Sequence, residues 1–219
     1  MFLHKYRNKN FITISRAQQT LKFLRYVGVV HNGLDFKSYV PSKGPGKYLV
    51  WLGRMVHDKG TWEAIQTAKT AKLPIVLAGK VDRFEPLSFE YFEKRVKKHI
   101  DGRQVKYIGE VNQQQKRKLL KDAIALLHPI NWNEPFGLVT IEAMAMGVPV
   151  VAFDRGPVRE QIIPGKTGFI VKDIRQMATA VKKVSGLDRT FIHQYALKNF
   201  SSAKMAEGYE KIYKNILNQ

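Results

Sequence analysis

Three times in its first half the chain follows one pattern: a short run, apolar almost throughout, stops at a glycine. Residues 48–52 end at Gly53, residues 75–78 at Gly79 and residues 105–108 at Gly109. The runs are too short for helices and lack the strict alternation of a strand with one wet face. They read as strands buried on both sides. Between them lie patterns of helical period: residues 58–72, with Trp62, Ile65 and Ala68 on one face, and the charged stretch 89–99. The alternation continues with a polar helix over 112–121, a strand over 123–127, a helix over 138–146 and a strand over 149–153. A short helix over 157–163 and a last strand over 167–171 complete it.

Such an order specifies an α/β fold: a Rossmann-like parallel sheet with helices on both faces. Residues 174–184, 189–199 and 202–217 add a carboxy-terminal helical tail. Ligands of these sheets bind at the carboxyl ends of the strands, where Gly53, Gly79, Gly109 and the loop 129–137 fall. The leading residues differ. Two strands are expected over 11–14 and 26–30, joined by a short basic segment, and 42–46 (Ser-Lys-Gly-Pro-Gly) reads as a linker. The division is therefore residues 1–46, then a domain over 47–219.

Composition excludes several chemistries. With no cysteine, disulfides, thiolate catalysis and Cys-ligated zinc are out, which fits a reducing cytosol. The six histidines show no paired metal spacing and no Asp-x-Asp motif is present, so no metal is expected. His128, entering the loop after a strand, reads as a structural histidine, with a place in the lining of the cleft as the alternative. The longest stretches without an acidic or basic residue are 11 long, 123–133 and 143–153, short of the ~20 a bilayer span requires. Net charge is +19, and residues 1–47 carry nine basic residues against one acidic. That balance draws anionic partners of any kind. A nucleic acid would call for basic residues interleaved with aromatics on one face, whereas these lysines are scattered. Contact with an anionic membrane at its inner face remains a possible partner reading, as does a simple solvated surface.

The most specific feature is the stretch from Glu134 to Ala152, Glu-Pro-Phe-Gly-Leu-Val-Thr-Ile-Glu-Ala-Met-Ala-Met-Gly-Val-Pro-Val-Val-Ala. Glu134 lies in a Pro-Phe-Gly turn that opens a helix, and Glu142 lies one or two turns inside it. Gly137 allows close backbone approach, and the N–H groups of Leu138 and Val139 stand at the positive helix end, beside Phe136. Carboxylates flanking an anion site suit a ligand with phosphate in its middle and hydroxyls at both ends, as in a nucleotide sugar. Taken singly, Glu134 could instead cap the helix and Glu142 face solvent.

The pair resembles the Glu-x7-Glu motif of the retaining group 1 glycosyltransferases (family four), whose GT-B fold sets two Rossmann-like domains face to face. The resemblance covers roughly residues 26–217 and corresponds to the carboxy-terminal, donor-binding domain of that family. It implies that Glu134 holds the transferred sugar and Glu142 the ribose. Gly53-Arg54-Met-Val-His-Asp-Lys59-Gly60 is similar to the family's Gly-Arg-x4-Lys-Gly segment, which makes Arg54 and Lys59 the cations that stabilise the leaving diphosphate. Alone, both could be solvated charges at a helix start. Gly109-Glu-Val111 resembles the backbone contact to the base. The resemblance further implies a UDP- or GDP-sugar donor, catalysis without a metal, and a sugar, lipid-linked or polysaccharide acceptor. It leaves residues 1–46 as the tail of an amino-terminal domain, so the chain would act poorly alone, and a separate amino-terminal chain is a candidate partner. A nucleotide-sugar epimerase of the same fold, and a nucleic-acid or anionic-membrane binding protein, are the alternatives.

Overall fold

The computed structural model describes residues 2–218. Its centre is a six-stranded parallel sheet built from β3 (Tyr48–Leu52), β4 (Ile75–Ala78), β5 (Val105–Tyr107), β6 (Ala123–His128), β7 (Val150–Phe153) and β8 (Gly168–Val171). The spatial order is β5-β4-β3-β6-β7-β8, every pair parallel. Chain order therefore reverses between β3 and β6. In a doubly wound sheet this reversal leaves a crevice at the carboxyl ends of the two central strands.

Successive residues of β3 explain why the runs are apolar throughout. Leu49 and Trp51 face a core formed with α1 (Thr61–Ala71) and α6 (Ile174–Val181), while Val50 and Leu52 face one formed with α3 (Gln113–Lys121), α4 (Leu138–Ala145) and α7 (Arg189–Phe200). All four are buried. Two helix starts differ from expectation. The first helix begins at Thr61 rather than 58, because Gly60 adopts a left-handed conformation (φ 68°) and separates it from a 3-10 turn over His57–Lys59. The second, α2 (Pro86–Tyr91), begins three residues early: the Glu85 carboxylate accepts the Ser88 N–H at 2.7 Å and Pro86 occupies the first turn. It continues as a π turn over Phe92–Val96. The helix over Gln113–Lys121 is closed by a reciprocal capping box between Asn112 and Gln115.

The leading residues form a separate parallel pair, β1 (Asn10–Thr13) and β2 (Arg25–Val29). The amphipathic α8 (Ser202–Leu217) packs on β2, with Ile212 against Gly28. Residues 42–46 are bound along the domain. The Ser42 N–H donates to Met146 O at 3.0 Å, Arg189 Nη2 donates to Pro45 O at 3.2 Å, and the Lys47 N–H donates to Asp122 O at 2.7 Å. Among the described residues no helix is long and apolar enough to cross a membrane.

Candidate active site

Two loops meet over the crevice, one after β3 and one after β6. The Asn131 N–H donates to Asp58 O at 2.8 Å, and the buried Trp51 indole donates to Lys59 O at 2.9 Å. Gly60 approaches Pro129 so closely that a Cβ there would lie 1.8 Å from the proline carbonyl. The suture delivers Lys59 to Glu134: its ammonium is hydrogen-bonded to Glu134 Oε1. The sequence alternative for Glu134, a helix cap, does not hold. It is not exposed, and the helix it precedes is entered through Gly137 (φ 81°) with no side-chain cap.

Lys59, Glu134, Gly53, Phe136, Gly137, Leu138 and Val139 line one cavity of about 310 Å³. Leu138 and Val139 open α4, so their N–H groups have no acceptor within the helix. Three further residues join this neighbourhood: His128, for which the sequence left cleft lining as the alternative, and Trp132 and Asn32, which it did not single out. His128 lines the cavity, with Nε2 3.5 Å from Glu134 Oε2, so it is not merely a structural histidine. Burial pushes its imidazole down to about 4; the Glu134 charge opposes the shift and the Lys59 charge adds to it. At neutral pH an uncharged ring therefore faces the carboxylate. Trp132 is 39% exposed, its ring centroid 5.4 Å from the Lys59 ammonium. Asn32 reaches the cavity from the leading segment.

Glu142 lies deeper. It is buried rather than solvated, and its Oε1 accepts a 2.6 Å bond from Lys116 Nζ, which the capped α3 presents. Its Oε2, like that of Glu134, is buried and receives no bond from a lysine. Tyr39, from the segment before the docked strap, packs beside this pair. Burial, and next the Glu142 charge, push its hydroxyl up to about 12. Each motif glutamate is thus held by one lysine, and only Glu134 lines the 310 Å³ cavity. Lys116 sits in the run Lys116-Arg117-Lys118, which gives no signal in sequence beyond a charged helix face.

Arg54 is separated from Lys59. The 3-10 turn between them sends Arg54 to a neighbouring cavity of about 560 Å³, shared with Val56, His57, Tyr91 and Arg95. That cavity is the larger, yet it holds neither motif glutamate. Gly53, which lines the smaller one, is adjacent to Arg54 in the same turn. Gly109 and Val111 stand at the end of β5, two strands away from β3. They lie outside the 310 Å³ cavity, but Val111 packs on the core that contains Phe136.

Comparison with known proteins places this architecture. The family profile of glycosyl transferases group 1 matches residues 35–188. Glycogen synthase of Mycobacterium tuberculosis is 30% identical over 173 residues, spanning 74% of this chain and 40% of the relative. An uncharacterized 41.2 kDa protein in the cps region of Klebsiella pneumoniae is 32% identical over 180 residues, 76% of this chain and 46% of the relative. The chain thus spans less than half the length of these relatives. Sucrose-phosphate synthase from Thermosynechococcus elongatus superposes with a TM-score of 0.79 at 20% identity, covering 95% of this chain and 58% of that one. Anabaena HepE, solved in complex with UDP-glucose, gives 0.74 at 20% identity, covering 95% and 63%.

Proposed function

The chain belongs to the group 1 glycosyl transferases, and from that membership we propose that it is the donor-binding part of a retaining enzyme that moves a sugar from a nucleoside-diphosphate sugar to a hydroxyl acceptor. One observation carries the reading. Glu134 and Lys59, far apart in sequence, are brought together at the reversal point of the sheet, below the start of a helix whose second turn holds Glu142.

In this reading the free oxygen of Glu134 holds a hydroxyl of the transferred sugar, and that of Glu142 the ribose. Lys59 and the opening N–H groups of α4 meet the diphosphate. Arg54, exposed on the adjoining turn, adds its charge as the leaving group departs. The acceptor hydroxyl attacks from the face the diphosphate leaves, its proton passing toward the departing phosphate oxygen. Charge on the leaving group is thereby met by this chain's own cations, and the reading requires no metal. Gly109 and Val111 border the base. UDP is supported by the ligand of HepE, with GDP as the other donor base.

Residues 1–46 carry the tail of an acceptor-side domain and the connection to it, and 47–219 the donor domain. Water exclusion and acceptor placement then fall to that other domain, in the same or a separate chain, and residues 2–218 alone transfer sugar slowly. A sugar, lipid-linked or polysaccharide acceptor fits a family of this kind. The exposed Arg7, Lys9 and Lys22 support contact with an anionic surface such as the inner face of a membrane.

The test is thermal unfolding with UDP, GDP and ADP, set against heparin and DNA, at low and high salt. A ligand at a hundredfold over Kd adds about 2.7 kcal/mol, or roughly 5–10 °C for a chain of this size. A nucleotide-specific rise that survives salt is expected. A rise only with polyanions, lost in salt, would replace this reading with a general anion-binding one.

A further inference from the structure

We propose that Ser15, held in place by Glu160, is a positioning residue for Glu134, which makes the leading segment a working part of the donor site; the proposal rests on the donor reading above.

Ser15 is wholly buried, although it belongs to a segment outside the main sheet. Its hydroxyl has a single proton, donated at 2.6 Å to the carbonyl of Pro135, 120 positions away. The same oxygen accepts the Gln18 N–H at 3.2 Å and so caps the 3-10 turn Arg16–Gln18. Pro135 has no N–H, so this carbonyl is the only backbone group by which the residue after Glu134 can be gripped. The next carbonyl, of Phe136, accepts a 2.7 Å bond from Gln161 Nε2.

Behind Ser15 stands Glu160, on the short helix α5 (Val158–Gln161). Its two oxygens accept the successive N–H groups of Arg16 and Ala17 at 2.9 and 3.0 Å, and His31 Nε2 lies 3.0 Å from Oε2. A carboxylate spanning two adjacent backbone donors is a charge-assisted, two-point grip. Burial raises the Glu160 carboxyl, but this grip and the His31 contact together outweigh it and hold the carboxyl below its usual range. One helix therefore supplies both Glu160, which fixes the Ser15 turn, and Gln161, which fixes the loop directly. The loop from Glu134 to Gly137 has no ladder of its own, so these two grips set where the Glu134 carboxylate sits. Displacement of a binding carboxylate by a fraction of an ångström is enough to lose a directed hydrogen bond.

The experiment compares wild type with Ser15→Ala, Ser15→Cys and Glu160→Gln in the full chain, with two readouts. The first needs no ligand: amide hydrogen exchange. Exchange at Glu134 and Thr140, whose N–H groups donate to Trp132 O and Gly137 O on either side of the gripped carbonyls, is expected to rise at least tenfold in all three variants, while β3 amides stay protected. Cysteine fills the space of serine but is a poor donor, so it separates the hydrogen bond from packing. The second readout is the Kd for UDP and for UDP-glucose, repeated with the GDP pair. Glu142 grips the ribose end from α4, so the variants are expected to bind the nucleoside diphosphate within twofold of wild type. They should lose at least fivefold for the sugar nucleotide. Unchanged exchange in Ser15→Ala, wild-type behaviour of Ser15→Cys, or equal weakening of both ligand types would each overturn the proposal. Failure of wild type to bind any nucleoside diphosphate would instead overturn the donor reading, with the exchange result still deciding whether the clamp exists.

Discussion

Replacing Gly60 by alanine tests whether the loops after β3 and β6 are truly sutured. At φ 68° an L residue costs about 1–2 kcal/mol in backbone energy. The new methyl would also lie 1.8 Å from the Pro129 carbonyl oxygen, so the loops must part by roughly 1.5 Å to restore ordinary contact. Overpacking of that kind adds about 1–3 kcal/mol, for a total of about 2–5. Gly102 supplies an internal control. Its φ of 71° is nearly the same, yet nothing lies within 4 Å of the Cβ position. Gly102→Ala therefore measures the backbone cost alone, about 1–2 kcal/mol. Urea denaturation of both variants, with a common m-value, gives the difference. A gap of at least about 1 kcal/mol is expected, with nucleoside diphosphate binding lost in Gly60→Ala, because Lys59 moves off Glu134, and kept in Gly102→Ala. Equal stabilities, or wild-type binding by Gly60→Ala, would refute the suture.

Three further outcomes follow from the site. Lys116→Met strands the buried Glu142 carboxylate and should cost about 3–5 kcal/mol, partly recovered in the double variant with Glu142→Gln; a single-variant cost under about 1 kcal/mol would mean the pair is not buried in solution. His128, held at about 4 in the fold, leaves the unfolded chain binding more protons between pH 6.5 and 4. Stability should therefore decline by about 3 kcal/mol as pH falls through that window, and His128→Gln should flatten the decline measured by denaturant titration. Trp132 is one of three tryptophans and is 39% exposed beside Lys59, so sugar-nucleotide binding should change its emission. Trp132→Phe should abolish the change and Trp62→Phe should keep it; persistence of the signal in Trp132→Phe would place the ligand elsewhere.

Much of the frame is legible along the chain because its causes are local. A parallel strand covered on both faces must be apolar at every position, and residues 48–52 and 75–78 announce that without reference to any partner. Asn112 with Gln115 marks a helix start for the same reason. The errors arise where a side chain or a glycine overrides periodicity: Gly60 delays one helix and the Glu85 carboxylate advances another. In the site, Glu134, Glu142 and Lys59 stand out by type and spacing. Lys116 hides in a basic run, Ser15 is one serine among several, and His128 looks like any histidine after a strand. Their importance comes from partners tens of residues away, a relation no spacing encodes.

By itself, then, the sequence determined a parallel sheet with helices on both faces, the strand ends at which a site is expected, and a carboxylate pair at a helix start. These follow from burial and hydrogen-bonding demands that act within a few residues. Only the tertiary structure decided that Arg54 and Lys59 face different cavities, that lysines hold both glutamates, and that the leading segment grips the loop beside Glu134. Each of these depends on the reversal of strand order between β3 and β6 and on the packing of residues 15–39 against α4 and α5. Such contacts are set by closure of the whole chain, where the cost of stranding a buried charge or hydroxyl leaves one arrangement satisfied.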